Sequence, residues 1–192
     1  MIELLGVGMR GADGQWLFRR LCAHIDSPAL VVVAGPSRDA REALLDIVAG
    51  RRIADEGRAW IDRIPVMAET RRRIRRRVAD IGLAELARPR WRWSSLLRRS
   101  ATLPPDEAVR AFIASVVAHG RRPVILRDLD RVLTPPDVVS LGQHLRGVAR
   151  ALRCSILLGV SDVTLLREAA DEVLVIGGAR FATARAELQL VG

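Results

Sequence analysis

A single α/β domain, with a mostly parallel sheet flanked by helices, is predicted by the 192-residue chain. Short runs of Val, Ile and Leu recur between stretches of helical spacing, as in parallel strands covered on both faces by crossover helices. Residues 29–50, ALVVVAGPSRDAREALLDIVAG, give the clearest unit: a buried strand, a turn opening on Gly35, and an amphipathic helix stopped by Gly50. With 49% hydrophobic residues and no internal repeat or linker, residues 1–192 read as one domain with ample core.

Strands are expected at residues 2–7, 30–34, 59–64, 78–82, 123–126, 155–160 and 173–176, with helices filling the gaps. One helix begins after Pro104 and Pro105, where Asp106 and Glu107 suit its positive end, and places Val109, Phe112, Ile113, Val116 and Val117 on one face. A second covers about residues 136–153, with Val138, Val139, Leu145, Val148 and Leu152 inward. RRRIRRR, at 71–77, reads most simply as the solvated face of a helix leading into the strand at Val78. The rhythm breaks between 81 and 102, where ARPRWRWSSLLRRSAT alternates Arg with Trp and reads as a loop or small irregular lobe. Arg90, Trp91, Arg92 and Trp93 are candidate partner contacts, because aromatic and Arg side chains are enriched at interfaces; they equally suit a small local core. Trp16 and Trp60 read as packing residues.

No apolar run is long enough to span a bilayer, and the N-terminus lacks signal-peptide character, so a cytoplasmic protein is expected. Cys22 and Cys154 each sit in an apolar neighbourhood and read as buried free thiols. His24, His119 and His144 have no ligand spacing, so no metal centre is expected. All 31 basic residues are Arg, and the net charge of +9 creates a positive field suited to nucleic acid, acidic lipid or an acidic protein.

The 29–50 unit has the order of a phosphate-binding loop. Such a loop reads G-x-x-x-x-G-K-[ST]: glycines let backbone N–H groups close around phosphates, the Lys reaches the β and γ phosphates, and the hydroxyl ligates Mg²⁺. Here Gly35 remains and Ser37 is available, but Arg38 could fold across the loop and the last three places hold Ala40, Arg41 and Glu42. Taken alone, G-x-x-x-x-A-R-E also fits an ordinary strand-to-helix turn.

Other segments extend the likeness. LPPDEAVRAFIASVVAHGRRPVILRDLDRVLTP (103–135), SILLGVSD (155–162), AADEVLVIGGARF (169–181) and DEGRAWIDRIPV (55–66) together resemble the nucleotide-binding domain of ATP-binding cassette (ABC) transporters over nearly the whole chain. The resemblance implies a P-loop NTPase-like sheet, a small N-terminal antiparallel part, and a helical subdomain reduced here to residues 84–102. It also implies functions for positions that hold other residues. The Walker B Asp and the following Glu correspond to Arg127 and Asp128, the switch histidine to Ser161, the Q-loop glutamine to Leu83, and the adenine-stacking aromatic falls near Gly11. At the signature motif stand Leu103, Pro104, Pro105, Asp106 and Glu107; the prolines lack an N–H and the acids repel phosphate.

Arg127 is expected to face Glu42 and form an ion pair where metal and hydroxyl would sit. Two like unit charges ~4 Å apart repel by ~4 kcal/mol at an effective dielectric of about 20, so Mg²⁺ beside Arg127 is opposed. Arg41, Ser37 and the loop amides leave room for weak, metal-independent anion binding. The expectation is a catalytically degenerate cassette, a pseudo-ATPase with a structural or regulatory role. It needs no cofactor, binds ATP weakly at most and does not bind Mg²⁺; Asp128 and Ser161 are vestigial. Its partners are an ABC-type membrane subunit or an intact second cassette, placing it at the inner membrane, with an anionic lipid surface as a further contact. Slow hydrolysis through Arg41 and Asp128, and an Arg-rich nucleic-acid module spanning residues 71–99, are the alternatives.

Overall fold

The structure is a computed structural model that describes residues 1–82, 113, 120–127, 133–164 and 166–177. It is a mixed α/β fold with two sheets. A five-stranded parallel sheet has the order β6-β7-β8-β3-β9, formed by β6 (Ala79–Gly82), β7 (Val124–Arg127), β8 (Ser155–Gly159), β3 (Ala29–Ala34) and β9 (Glu172–Val175). An antiparallel sheet of β2 (Trp16–Ile25), β1 (Ile2–Arg10), β4 (Glu56–Ile61) and β5 (Ile64–Pro65) follows the order β2-β1-β4-β5. The described helices are α1 (Arg38–Val48), α2 (Arg71–Arg77) and α3 (Pro135–Ala151).

Alternation along the parallel strands sends side chains into two cores. Val31, Val33, Ile125 and Leu157 meet α1 and the antiparallel sheet through Leu44, Ile47, Leu4 and Val7. Leu30, Val32, Leu126, Ile156 and Leu158 meet α3 through Val138, Leu141 and Leu145. Every residue of β3 is buried, which is why its sequence is an unbroken apolar run. Ile113, from the helix expected after Pro105, is helical and buried against the second core; the rest of that helix and residues 84–102 lie outside the described residues.

The largest departure from expectation is β2, which occupies a gap assigned to helix. Its period-two signal is interrupted by register shifts against β1 and by Arg20 at φ 53°. The strand expected at 59–64 is a hairpin: Asp62 and Arg63 both have positive φ, as a type I′ turn requires, and separate β4 from β5. Gly57 takes φ +77°, and a Cβ there would come within 2.3 Å of the Gly6 carbonyl oxygen. The inward face of α3 is Val138, Leu141, Gly142, Leu145 and Ala149; Val139 and Val148 are half-buried at its flanks. Gly142 belongs to that face because Leu166 packs where a Cβ would stand. Cys154 is buried as expected, whereas Cys22 is exposed because it projects from β2.

Candidate functional site

The loop after β3 turns at Gly35, where a Cβ would press on Ile176 and on the stem of Arg41. Ser37 is the N-cap of α1: its backbone is extended and its hydroxyl accepts the Ala40 N–H at 3.1 Å. Ala40 is buried, and Arg38 begins the helix at the surface. Arg41 folds back over the loop, donating from Nη1 to the Gly35 carbonyl at 3.4 Å and from Nη2 to the Ser161 hydroxyl at 3.0 Å. A buried guanidinium thus joins the turn after β3 to the turn after β8. The capping hydroxyl, the Ala40 amide and the Arg41 charge all have partners within the protein.

Beside this loop, Arg127 ends β7 with only 6% of its side chain exposed. Its Nη1 bonds the Glu42 carboxylate, the contact expected from the sequence. Two further acids join it. Asp80 receives the guanidinium side-on, Nε to Oδ1 at 2.7 Å and Nη2 to Oδ2 at 3.0 Å, while Asp46 lies 2.9 Å from Nη2. Arg51 closes the far side, its Nε 2.6 Å from Asp80 Oδ2. The register explains the geometry. Arg127 is paired with Gly82, so Asp80, two residues back in β6, is its diagonal neighbour on the same face. Glu42 and Asp46 are four apart on α1 and overlie that face together.

Burial works to lower the Arg127 pKa, but hydrogen bonds and attraction from Asp80, then Glu42, outweigh it and hold the group above the ordinary arginine range. Removing such a centre leaves carboxylates gathered without their cation, which costs about 3–5 kcal/mol for a buried pair. Asp46, Asp80 and Arg51 were not singled out from the sequence. The signals were a carboxylate one turn after Glu42 and an Asp inside the apolar strand VADIG.

Two further positions are placed, and others are not. Gly11 lies in the turn between β1 and β2, donating its N–H to the Gln15 carbonyl at 2.8 Å. Trp16, read as a packing residue, is half-buried and carries the guanidiniums of Arg10 and Arg19 over its ring at 4.3 and 4.4 Å. Asp128, Leu83, Leu103, Pro104, Pro105, Asp106, Glu107, Arg90, Trp91, Arg92 and Trp93 lie outside the described residues. Among the described residues, no His, Cys, Asp and Glu side chains group at metal-holding spacing.

Solved structures share this architecture. CbiO1 from Clostridium perfringens, part of the ABC transporter complex cbiONQ, superposes with a TM-score of 0.75 over 98% of this chain and 90% of its own, at 14% identity. The fold is that of an ABC transporter ATP-binding cassette. The cassette MJ0796 agrees at 16% identity over 92% of this chain and 94% of its own. Its TM-score is 0.67 for a dimeric structure and 0.65 for a dimeric post-hydrolysis state bound to ADP and Pi. No protein-family model and no curated protein matches the chain by sequence. The cassette fold therefore rests on three-dimensional agreement.

Proposed function

We propose that the protein is a catalytically degenerate ABC cassette, a pseudo-ATPase that serves as a structural or regulatory subunit of a membrane-associated ABC-type complex. The observation that carries the reading is Arg127, held by Glu42, Asp46 and Asp80 at the strand end beside the phosphate-loop helix. Magnesium needs oxygen donors left open to it and several retained waters. Here the carboxylates converge on a guanidinium, which repels a divalent cation and already uses their lone pairs, so the donor set does not fit Mg²⁺. Arg41 works the same way at the loop. Its two hydrogen bonds to Gly35 and Ser161 tie down the charge that would otherwise meet a phosphate.

Adaptor or scaffold work follows from what is kept, namely the two-sheet frame and both cores. Support for membership in a complex comes from the cassette CbiO1, itself part of a transporter complex, and from the dimeric MJ0796, which makes a second cassette a natural partner. No described helix is long and apolar enough to cross a membrane, so attachment through a membrane subunit is the route proposed. The reading places the chain in the cytoplasm at the inner membrane.

The deciding experiment titrates labelled ATP into purified protein with and without Mg²⁺ and measures phosphate release in parallel. The expected result is weak binding at most, indifferent to Mg²⁺, and turnover no faster than an Asp128→Ala variant. Mg²⁺-dependent saturation with turnover abolished by Asp128→Ala would overturn the proposal. Co-purification from membranes with a permease or an intact cassette tests the assembly; a monodisperse protein without either partner contradicts it.

A further inference from the structure

At the opposite end of the parallel sheet the chain gathers arginines in another way. Arg77, Arg122 and Arg153 each stand two residues before the first residue of β6, β7 and β8, three neighbouring strands of the sheet. Strands lie about 4.8 Å apart, so the three form a row along the sheet's N-terminal edge. Arg122 ties the row together: its backbone N–H donates to the Arg77 carbonyl at 2.7 Å, and its side-chain Nη1 donates to the Arg153 carbonyl at 3.5 Å. All three side chains are exposed, as is Arg121.

Helix α2 widens the row into a face. Its Ile74 is fully buried, and Arg71 is turned inward to the carbonyls of Gly50 and Arg51. Arg72, Arg73, Arg75 and Arg76 are therefore left exposed, and none of them bonds a described side chain. Glu69 stands before the helix in sequence, and Asp26 is bonded to His24 beside Ser27, whose hydroxyl donates to the Arg153 carbonyl. Like charges three and four apart on a helix destabilise it, and a surface serving solubility alone does better with mixed signs. A single-sign face kept at that cost fits an anionic partner.

We propose that this edge is a docking surface for an anionic phospholipid leaflet. Guanidinium groups take phosphate oxygens two at a time and stay charged at any physiological pH. Clusters of four to eight basic residues at a surface are what anionic leaflets attract. Nucleic acid fits less well. Residues 71–77 and 120–123 contain no aromatic side chain to stack on bases. Helix α2, at seven residues, is too short to fill a major groove. The surface lies at the other end of the strands from Gly35 and Arg41, so this docking does not depend on whether nucleotide binds.

The test is flotation of the full-length protein with phosphatidylglycerol-rich vesicles, with pure phosphatidylcholine vesicles, and with a duplex oligonucleotide measured alongside. Binding is expected to the anionic vesicles only and to fall away by ~0.5 M salt, where the screening length is a few ångströms. Arg72→Ser, Arg73→Ser, Arg75→Ser and Arg76→Ser together should lower partitioning about tenfold or more. The separate pair Arg121→Ser and Arg122→Ser should lower it severalfold, and it keeps the test decisive if the quadruple variant misfolds. Equal binding to neutral vesicles, retention by both folded variants, loss only when Arg90 and Arg92 are changed to Ser, or capture of the duplex without the vesicles would each overturn the proposal.

Discussion

The two ends of one sheet use the same side chain in opposite ways. At the C-terminal ends of the strands, Arg127 and Arg41 are buried and every charge is answered by a named carboxylate, carbonyl or hydroxyl. At the N-terminal edge, Arg77, Arg122 and Arg153 stand in solvent beside the α2 arginines with no described carboxylate bonded to them. Net charge, the property most visible in the sequence, therefore says little about either end. A buried arginine is a structural cation whose worth is set by its partners, whereas an exposed one acts through the field it contributes.

Removing the buried partner tests that contrast most severely. Arg127→Met keeps the volume and leaves Glu42, Asp46 and Asp80 facing one another, so urea unfolding should show a loss of about 3–5 kcal/mol. A loss below about 1 kcal/mol would mean that Arg51 and solvent already neutralise the acids, and the distinction between the two ends would weaken. Arg41→Ala comes next. It removes the two hydrogen bonds to the Ser161 hydroxyl and the Gly35 carbonyl, an expected loss of about 1–2 kcal/mol by the same measurement. The quadruple α2 serine variant should stay within about 0.5 kcal/mol of the parent, because it removes exposed like charges and no bonded partner. A large loss there would show that those arginines are structural after all.

The smallest expected effect concerns pH. The pKa of Arg127 is raised in the folded protein, so its contribution is fully present below the unfolded value and is lost only as pH rises through the folded one. Both lie at the extreme alkaline end. The stability difference between parent and Arg127→Met should thus be constant from neutral pH to about pH 10, as thermal unfolding in matched buffers would show. A difference that shrinks over this range would place a titrating neighbour in control.

How far the sequence reveals these features depends on how local each signal is. The unit β3, loop and α1 was legible because a wholly apolar strand, a glycine and an amphipathic helix follow without interruption. The Glu42 contact with Arg127 was legible too, once the family resemblance set the end of β7 beside the loop after β3. Asp80 and Asp46 were not, because each looks like a solvent-facing acid until strand register and helix pitch bring both to one guanidinium. Strand β2 was hidden by its irregularity: shifted pairings and the left-handed Arg20 spoil the alternation that identifies a strand. RRRIRRR was legible as a helix with an outer face, but its continuity with Arg122 and Arg153 comes only from the order of β6, β7 and β8.

The three acids around Arg127 also make the arrangement hard to exchange one residue at a time. Exchanging Arg127 alone for Asp would set a fourth carboxylate among Glu42, Asp46 and Asp80, each pair at ~4 Å repelling by about 4 kcal/mol at an effective dielectric of about 20. Exchanging Glu42 alone for Ser would still leave a guanidinium gripped by two aspartates. Exchange of Arg127 by itself therefore passes through a less stable protein, so a cation site at this strand end would need several residues of the cage to change together.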